Sequence, residues 1–536
     1  MVGGAGSIMP QLQDRAQVRS EELYEAALTG PFGGVQSELP STEIEEFGFV
    51  DVKNFLFRKG TASVRPGWTA LPPFPLTPNE PIMAVADFFN ASGAHIQCVL
   101  TPTKLWQFLA GGWTQITGPA FGGTSAQLFS WDVLNYKLCF SQGVDKVWTW
   151  DGIAATYVQS SANAQPLKYM AEIGLHLVGV NPAIPQRYYW TGIGDPTDWT
   201  SFSSGLNDNV NNLGPINGLL KLGQYGYGFH QNGILQIVPT GIGLFPFSFG
   251  SIINATQGCI APYSLDHFDD RGRELAVYLG VDNVYIFDGT SVEPIGDMPI
   301  DNRRRLGARS RILTDVLTVN PQIIYGFPTY SINGQVFRAY WLVIPGVSVW
   351  VYNFDEGNWT QFTYNKTITS IGNFFKNSVV RIVDLIGTIQ AQTWTPATLQ
   401  QNNPFEGFLL GFNDGTAGYV DFTNYSEIAV SITSGKLLFK DRRHEKTVRK
   451  FRLSFVDLGQ TTYTITLTNN QGQSETHSFT IGSGSGDVLS YVQEFNISGL
   501  RLQYVVSAPA LSPASIVEFA PMYDIGGEQR GGVLRN

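Results

Sequence analysis

Apolar and aromatic residues alternate with polar ones in short runs, each of which breaks at a tight turn and resumes as a second extended run. "VYIFDGTSVEPI" over 284–295 and "VWTWDGIAATYV" over 147–158 write the same hairpin twice, more than a hundred residues apart. Further copies are "LWQFLAGGWTQI" (105–116) and "RYYWTGIGDPTDWTSF" (187–202), with looser ones at "GILQIVPTG" (233–241), "VWVYNFDEGNWTQF" (349–362) and "LLGFNDGTAGYV" (409–420). Alternation with a period of two marks strands, and Asp-Gly, Gly-Gly or Asn-Gly at the tips supplies the positive φ of a two-residue turn. The copies start 40 to 65 residues apart, and the closer spacings match a four-stranded propeller blade. One small twisted sheet cannot bury both faces, so it stacks on the next, with aromatic and β-branched residues filling the wedge. The pattern predicts an all-β chain whose residues 69–430 form a β-propeller of six or seven blades, each hairpin being the outer part of one blade. A stacked sandwich is the competing reading, and the regular early spacing counts against it.

The flanks follow other rules. Residues 11–28, "QLQDRAQVRSEELYEAAL", combine good helix formers with early acidic residues and predict a helix. The glycine- and proline-punctuated "TGPFGGVQSELPSTEIEEFG" after it reads as an arm that lies along another surface, and "DVKNFLFRKGTASVRPGW" (51–68) as a hairpin turning near Arg58, Lys59 and Gly60. Beyond about residue 430, "KFRLSFVDLG", "TTYTITLTNNQGQSETHSFTIG" and "LRLQYVVSA" alternate strictly, and the Asn-Gln-Gly turn predicts an antiparallel, sandwich-like domain. The expected organisation is an N-terminal helix, arm and hairpin forming a platform (1–68), the propeller (69–430) and a C-terminal β-sandwich-like domain (431–536). The 51–68 hairpin is a candidate to join the last of these.

Composition supports strands and tight turns: 58 glycines, 29 prolines and 13% aromatics stand beside only 15% charged residues in 536. A net charge of −10 argues against gripping nucleic acid over the whole surface and suits a wall that repels DNA. The charge is segregated. Residues 1–50 hold eight acidic and two basic residues, 440–452 seven basic and two acidic, and 303–311 five basic. Arg303, Arg304, Arg305, Arg309 and Arg311 either face a lumen, as a DNA contact or brake, or face a neighbouring subunit; the second is expected, with Asp301, Asp266, Asp269 and Asp270 as partners of opposite sign. The belt Arg442, Arg443, Lys446, Arg449 and Lys450 is expected to meet the acidic arm between subunits or a ring above. Cys98, Cys139 and Cys259 have no metal-ligand spacing and read as thiols of a reducing interior. With no basic and apolar leader and no run of eighteen apolar residues, neither standard secretion nor a membrane span is expected.

Catalysis needs a base, a nucleophile or acid pair, and something to place them. His95, His176, His230, His267, His444 and His477 are scattered and form no H-x-x-x-H or H-E-x-x-H pair, so no metal or cofactor is expected. "YGYGFHQNG" (225–233) has no helix after it to aim amides at a phosphate and reads as a strand. "NFDEGNWT" (353–360) approaches a sialidase Asp-box, but Asn353 stands where Ser or Thr belongs and Trp359 comes one place early. The residues point to a non-enzyme.

"GPFGGVQSELP", "NFLFRKGTASVRPGW", "PQRYYWTGIGDPTDWT", "QGCIAPYSL" and "VYLGVDNVYIFDGTSVEPIG" follow one another in this chain. In that order and spacing they resemble the tail hub, or nozzle, proteins of short-tailed bacteriophages, over roughly residues 30–300. After 310 the chain departs most. The resemblance implies a propeller subunit of the virion, made in the host bacterial cytoplasm, that assembles as a hexamer. Such a ring sits below the portal and adaptor, with a fibre, knob or needle beneath, and closes and then conducts the channel for double-stranded DNA. The alternative is a propeller that binds or cleaves carbohydrate in a receptor-binding tail component, which would show exposed aromatics and carboxylates around one pocket. The arm and the segregated charge favour the conduit.

Overall fold

The structure, a computed structural model, describes residues 23–30, 32–44, 47–74, 80–109, 112–208, 212–254, 256–299, 305–332, 335–376, 405–421, 424, 428–439, 443–510 and 513–525. The fold is all-β, and the propeller is present. Five consecutive four-stranded antiparallel blades have the inner strands Ala84–Phe89, Ser130–Leu134, Tyr169–Ile173, Ile216–Leu222 and Asp266–Asp269. The sixth four-stranded sheet closes the ring: Ile368–Lys376, Phe405–Phe412 and Ala417–Asp421 take their outermost partner, Gly67–Ala70, from the other end of the chain. Between the fifth blade and this closing blade stands a further four-stranded unit, Tyr325–Ile332, Gln335–Ile344, Ser348–Asn353 and Asn358–Phe362, which does not end at its outer strand.

The repeated hairpin is the outer pair of strands in the first, second and fifth blades and in that further unit, as at Trp148–Trp150 with Val158–Gln159, whereas the copies at 187–202 and 233–241 hold only the third strand of their blades, Arg187–Trp190 and Gly233–Ile242, whose partners come later at Gly205–Asp208 and Phe245–Asn254. The last copy, 409–420, joins a second strand to a third because the fourth comes from Gly67–Ala70. At the Asp-Gly tips the aspartate fixes the turn: Asp151 Oδ1 accepts from the amides of Ile153 (2.9 Å) and Ala154 (2.7 Å), and Gly152 takes φ 75°. Aromatic wedges fill the blade interfaces. Phe88, Phe140, Trp148 and Trp150 lie between the first two blades, Tyr188, Trp190 and Phe247 between the third and fourth, and Trp106, Trp113 and Phe374 beside the closing blade.

The second body is a sandwich built from both ends of the chain. One sheet runs Phe55–Arg58, Thr61–Val64, Ser515–Ile525, Lys446–Val456, Val488–Gly499, with Tyr24–Glu25 and Leu28–Thr29 also paired to Ser515–Ile525. The other is nine-stranded: the further propeller unit continues from Asn358–Phe362 to Phe49–Lys53, then Val430–Ser434, Leu502–Ala508, Thr461–Asn469 and Ser474–Ile481. A single core cluster runs from Phe451, Tyr504 and Phe519 in the sandwich through Phe32, Phe49 and Phe57 to Trp350, Trp359 and Val277 in the propeller.

Two features differ from the sequence expectation. The helix expected over 11–28 ends in strands at Tyr24–Glu25 and Leu28–Thr29, because pairing on Ser515–Ile525 outweighs local helix propensity; residues 11–22 lie outside the described residues. The one α-helix among the described residues is Arg309–Val316, which buries Ile312 and Val316.

Where the sandwich, the further unit and the closing strand meet, one asparagine serves all three. Asn54 (φ 60°, buried) donates from Nδ2 to Thr363 Oγ1 (2.9 Å) and Ala429 O (2.7 Å), while its Oδ1 accepts from Arg65 Nε (3.0 Å) and the Thr363 amide (2.8 Å). Buried Arg65 also donates to Pro66 O (2.7 Å) and Thr363 O (2.6 Å) and lies 3.9 Å over the Tyr364 ring. Replacement of Asn54 by Ala leaves these buried groups unsatisfied and puts a Cβ-bearing residue without a polar side chain at positive φ. The expected loss is about 2–4 kcal/mol, read from denaturant unfolding; a loss below about 0.5 kcal/mol refutes the role given to Asn54.

Candidate functional site

A cavity with polar walls lies on the propeller axis. It encloses about 670 Å³ and draws its walls from all seven inner strands, including Asp87, Asp132, Glu172, Lys221, Asp266 and Asn373. Its stopper is the short turn Pro262–Ser264, which pushes Tyr263 into the ring's centre. The Tyr263 hydroxyl donates to Leu128 O (2.7 Å), and its ring stacks on Tyr325 at 6.4 Å and meets Tyr169 edge-on at 6.0 Å. Burial raises the pKa of all three phenols, so they stay neutral.

Each wall carboxylate is already engaged, and most of the contacts cross from one blade to the next. Asp87 Oδ2 lies 3.3 Å from His95, and its Oδ1 accepts from Asn373 Nδ2 (3.4 Å) in the closing blade. Asp132 in the second blade accepts the amide of Glu172 (2.5 Å) in the third, beside a bond from the Met170 amide to Ser130 Oγ (3.1 Å). Glu172 is ion-paired with Lys221 in the fourth blade, and Glu274 in the fifth accepts the Gly223 amide of the fourth. Burial raises the Asp132 carboxyl, against the amides of Glu172 and Val133 that lower it, while a hydrogen bond accepted by the Asp266 carboxylate raises His267 against burial. These side chains stitch the blades together, and among the described residues around the cavity no nucleophile stands beside a base with a third group to orient it.

Other chemistry-bearing residues are spent in the same way. His176 Nδ1 is 2.6 Å from Thr191 O, and His230 bridges Gly214 O (2.9 Å) and Tyr188 Oη (2.8 Å); burial lowers both imidazoles. Burial pushes the Cys139 and Cys259 thiols up to about 12 and raises Cys98 as well, so none is a thiolate nucleophile. Among the described residues, no group of three or more His, Cys, Asp or Glu could hold a metal ion. The near-miss Asp-box anchors the arm: Asn353 Nδ2 donates to Phe57 O (2.8 Å), Asn358 Nδ2 to Phe32 O (2.8 Å) and Trp359 Nε1 to Ile295 O (2.6 Å).

The basic clusters have partners within their own chain. Arg309 donates to Asp282 O (2.6 Å) and lies 3.7 Å from Glu38; Arg311 donates to Asp51 (2.7 Å) and Val50 O (3.0 Å) and covers Trp350. The acidic partners expected for this cluster pair elsewhere, Asp266 with His267 and Asp270 with Arg338. Arg305 lies in a short strand paired with Asp297–Pro299; Arg303, Arg304, Asp301 and Arg442 lie outside the described residues. In the belt, Arg443 is exposed, Lys446 is buried at a strand start, and Lys450 sits opposite Glu494. Arg449 bonds Asp524 (2.9 Å) and Asn496 (2.6 Å), and the belt's last arginine, Arg452, reaches both Glu518 and Glu25. Glu25 of the acidic N-terminal stretch is thus paired within its own chain, with Arg452, which follows the five belt residues. The sequence shows charge blocks without their partners, which lie from 27 residues away, as Asp282 from Arg309, to 427, as Glu25 from Arg452.

No family matches the chain, and no curated protein does. Among solved structures it is similar to the extracellular domain assigned to a hybrid two component system of B. thetaiotaomicron, at 9% identity and TM-score 0.39, over 79% of this chain and 47% of that one. It is similar at 9% identity and TM-score 0.38 to BBS1N in its complex with ARL6DN, over 67% of this chain and 98% of that chain. An exo-beta-1,3-galactanase from Phanerochaete chrysosporium aligns at 10% identity and TM-score 0.25, over 86% of this chain and 100% of that chain. The chain thus spans about half of the first of these proteins, and none of the three bears on what it binds or does.

One anion has an unusually complete set of donors. Asp457 accepts from the amides of Ser483 (2.9 Å), Gly484 (2.9 Å) and Ser485 (3.1 Å) and from both serine hydroxyls, in a glycine-rich loop wrapped around its carboxylate. The Gly484 and Ser483 amides hold this carboxyl far below the usual range. A carboxyl depressed in the folded state contributes stability that is present above its unfolded value, about pH 4, and is lost as pH falls through the folded value. The Asp457→Asn variant is therefore less stable than the parent at neutral pH, and its thermal midpoint falls less steeply below about pH 4. Parallel midpoint curves for the two proteins contradict this.

Proposed function

We propose that the chain is a structural subunit of the virion of a short-tailed bacteriophage, a nozzle or hub whose copies form a hexameric ring beneath the adaptor. The observation that carries this reading is the axial stopper. Tyr263 reaches into the propeller's own axial cavity and the surrounding carboxylates bond from blade to blade, which favours a structural role for this axis over the passage of a duplex. A path for double-stranded DNA then has to run between subunits, through the lumen of their ring. A net charge of −10 repeated around such an axis repels phosphate and keeps the wall from holding the genome by counterion release. The unbroken nine-stranded sheet supports the same reading, because it makes propeller and sandwich one strut. The adaptor above and a fibre, knob or needle below are the partners this assigns.

A second reading keeps one specific observation in its favour: Trp131 and Phe327 line the axial cavity together with Asp87, Asp132 and Glu172, the mixture that sugars bind. Electron microscopy of the purified chain, alone and with its adaptor, separates the two. The ring reading expects six-fold tubes and no retardation of linear duplex DNA at physiological salt. Monomers that stay monomeric with the adaptor, or a subunit that retards DNA, count against it, and monomers that bind oligosaccharide support the second reading.

A further inference from the structure

We infer that one side of the sandwich is an interface with a second copy of this chain, in which the open edges of both sheets pair antiparallel with themselves across a two-fold axis. Ser474–Ile481 ends the nine-stranded sheet and Val488–Gly499 ends the other, and among the described residues neither has a strand on its outer side. The two edges lie on the same side of the sandwich: the rings of Phe479 and Tyr491 stack with centroids 4.1 Å apart, and the Asn496 amide reaches across to Glu475 Oε2 (2.9 Å). The loop that carries the chain from one edge to the other is held by Asp457, at the end of Lys446–Val456, through the amides of Ser483, Gly484 and Ser485.

An open edge is a row of unpaired N–H and C=O groups, which proteins guard with Lys, Pro, bulges or inward-pointing charges. Half of this side is guarded. The strand bulges between Glu494 and Ile497, and Glu475 and His477 turn towards the other sheet, onto the Asn496 amide and the Phe495 ring. The other half is bare. Residues 478–481 and 488–493 contain no charged residue and no proline, and Val488 is 60% exposed, Val492 43% and Leu489 40%. A row of free backbone groups calls for an extended strand. Two such rows, one per layer and about 10 Å apart, call for a partner that presents two open strands at that spacing. The same side of a second copy presents them by construction, whereas a single bound peptide satisfies one row only. Charge points the same way. Copies of a chain with net charge −10 repel, and a two-fold contact sets a patch against itself, so a self-pairing edge has to be uncharged. A register centred on Ser490 places Val488 opposite Val492 of the second copy, Asp487 opposite Gln493 and Glu494 opposite Gly486, so no like charges meet. Arg452, next to Val492, is already paired with Glu518 and Glu25. Beyond Glu494 the bulge bends the strand away and ends the pairing.

The pairing needs only two copies and does not rest on the ring reading. Cys98, Cys139 and Cys259 are buried, so an introduced surface thiol tests the axis directly. Mild oxidation of the full chain carrying Ser490→Cys is expected to join two copies as a covalent dimer, and oxidation of a Thr476→Cys variant, whose thiol stands on the guarded half, is not. By sedimentation, the double variant Val488→Glu, Val492→Glu is expected to weaken association on the order of a hundredfold with the thermal midpoint of the dilute protein kept, while Val281→Glu on a propeller turn changes nothing. Hydrogen exchange gives an independent readout: the amides of 488–493 slow as the protein concentration rises. The inference is overturned if Ser490→Cys stays monomeric on oxidation, if Thr476→Cys joins as readily, or if the double variant associates as tightly as the parent. It is equally overturned if the amides of 488–493 exchange freely in the associated protein, or are protected only when an adaptor is added. A six-fold ring in which those amides exchange freely overturns this inference alone, and an edge-paired dimer that builds no ring overturns only the ring.

Discussion

A ring of stacked sheets is stable only when it closes, since an open ring leaves two blade faces and their aromatic wedges in water. In this chain closure depends on Gly67–Ala70 reaching back to pair with Ala417–Asp421. That constraint reaches far beyond one blade. To deliver the closing strand, the residues just before it, Phe49–Lys53 and the hairpin Phe55–Arg58 with Thr61–Val64, must already lie in the sandwich beside the C-terminal strands. The chain crosses from one body to the other at Asn54 and Arg65, where the side chains are buried and bonded to Thr363 of the propeller. Propeller and sandwich are therefore not beads on a string. The bridge of Lys53 to Gln361 turns a blade-like unit and a sandwich sheet into one nine-stranded surface.

The same economy governs the polar residues on the axis. Burying carboxylates is costly unless each is paired or hydrogen-bonded. Here Asp132, Glu172 and Glu274 meet that condition across blade boundaries, where inner strands converge and backbone amides at neighbouring strand ends are within reach. A pocket of this size with titrating walls is where a binding or catalytic site is sought first, yet its geometry is that of a hoop.

Much of the fold was legible because blades are local. The Trp-Asp-Gly and Phe-Asp-Gly hairpins announce themselves through alternation and turn chemistry within a dozen residues, and the Asn-Gln-Gly turn marks Thr461–Asn469 with Ser474–Ile481 equally well. What stayed hidden is long-range. Nothing near Gly67 says that it pairs with Asp421, and nothing near Arg311 says that Asp51 is its partner. The residues up to Leu28 favour a helix locally, while the strand partners of Tyr24, Glu25 and Leu28, which are Tyr523, Met522 and Phe519, lie at the other end of the chain. The axial stitches went unread for the same reason, since each wall residue comes from a different blade and no motif spans them.

Hydrogen exchange across the full chain, read on fragments by mass spectrometry, tests most directly whether the two ends of the chain weld both bodies into one. The account predicts that the amides of Gly67–Ala70, Ala417–Asp421 and Phe49–Lys53 exchange together, at the rate of global unfolding. If Gly67–Ala70 exchanges early, while Phe49–Lys53 and the inner strands of the first five blades stay protected, the closing strand is a frayed edge and the account is wrong.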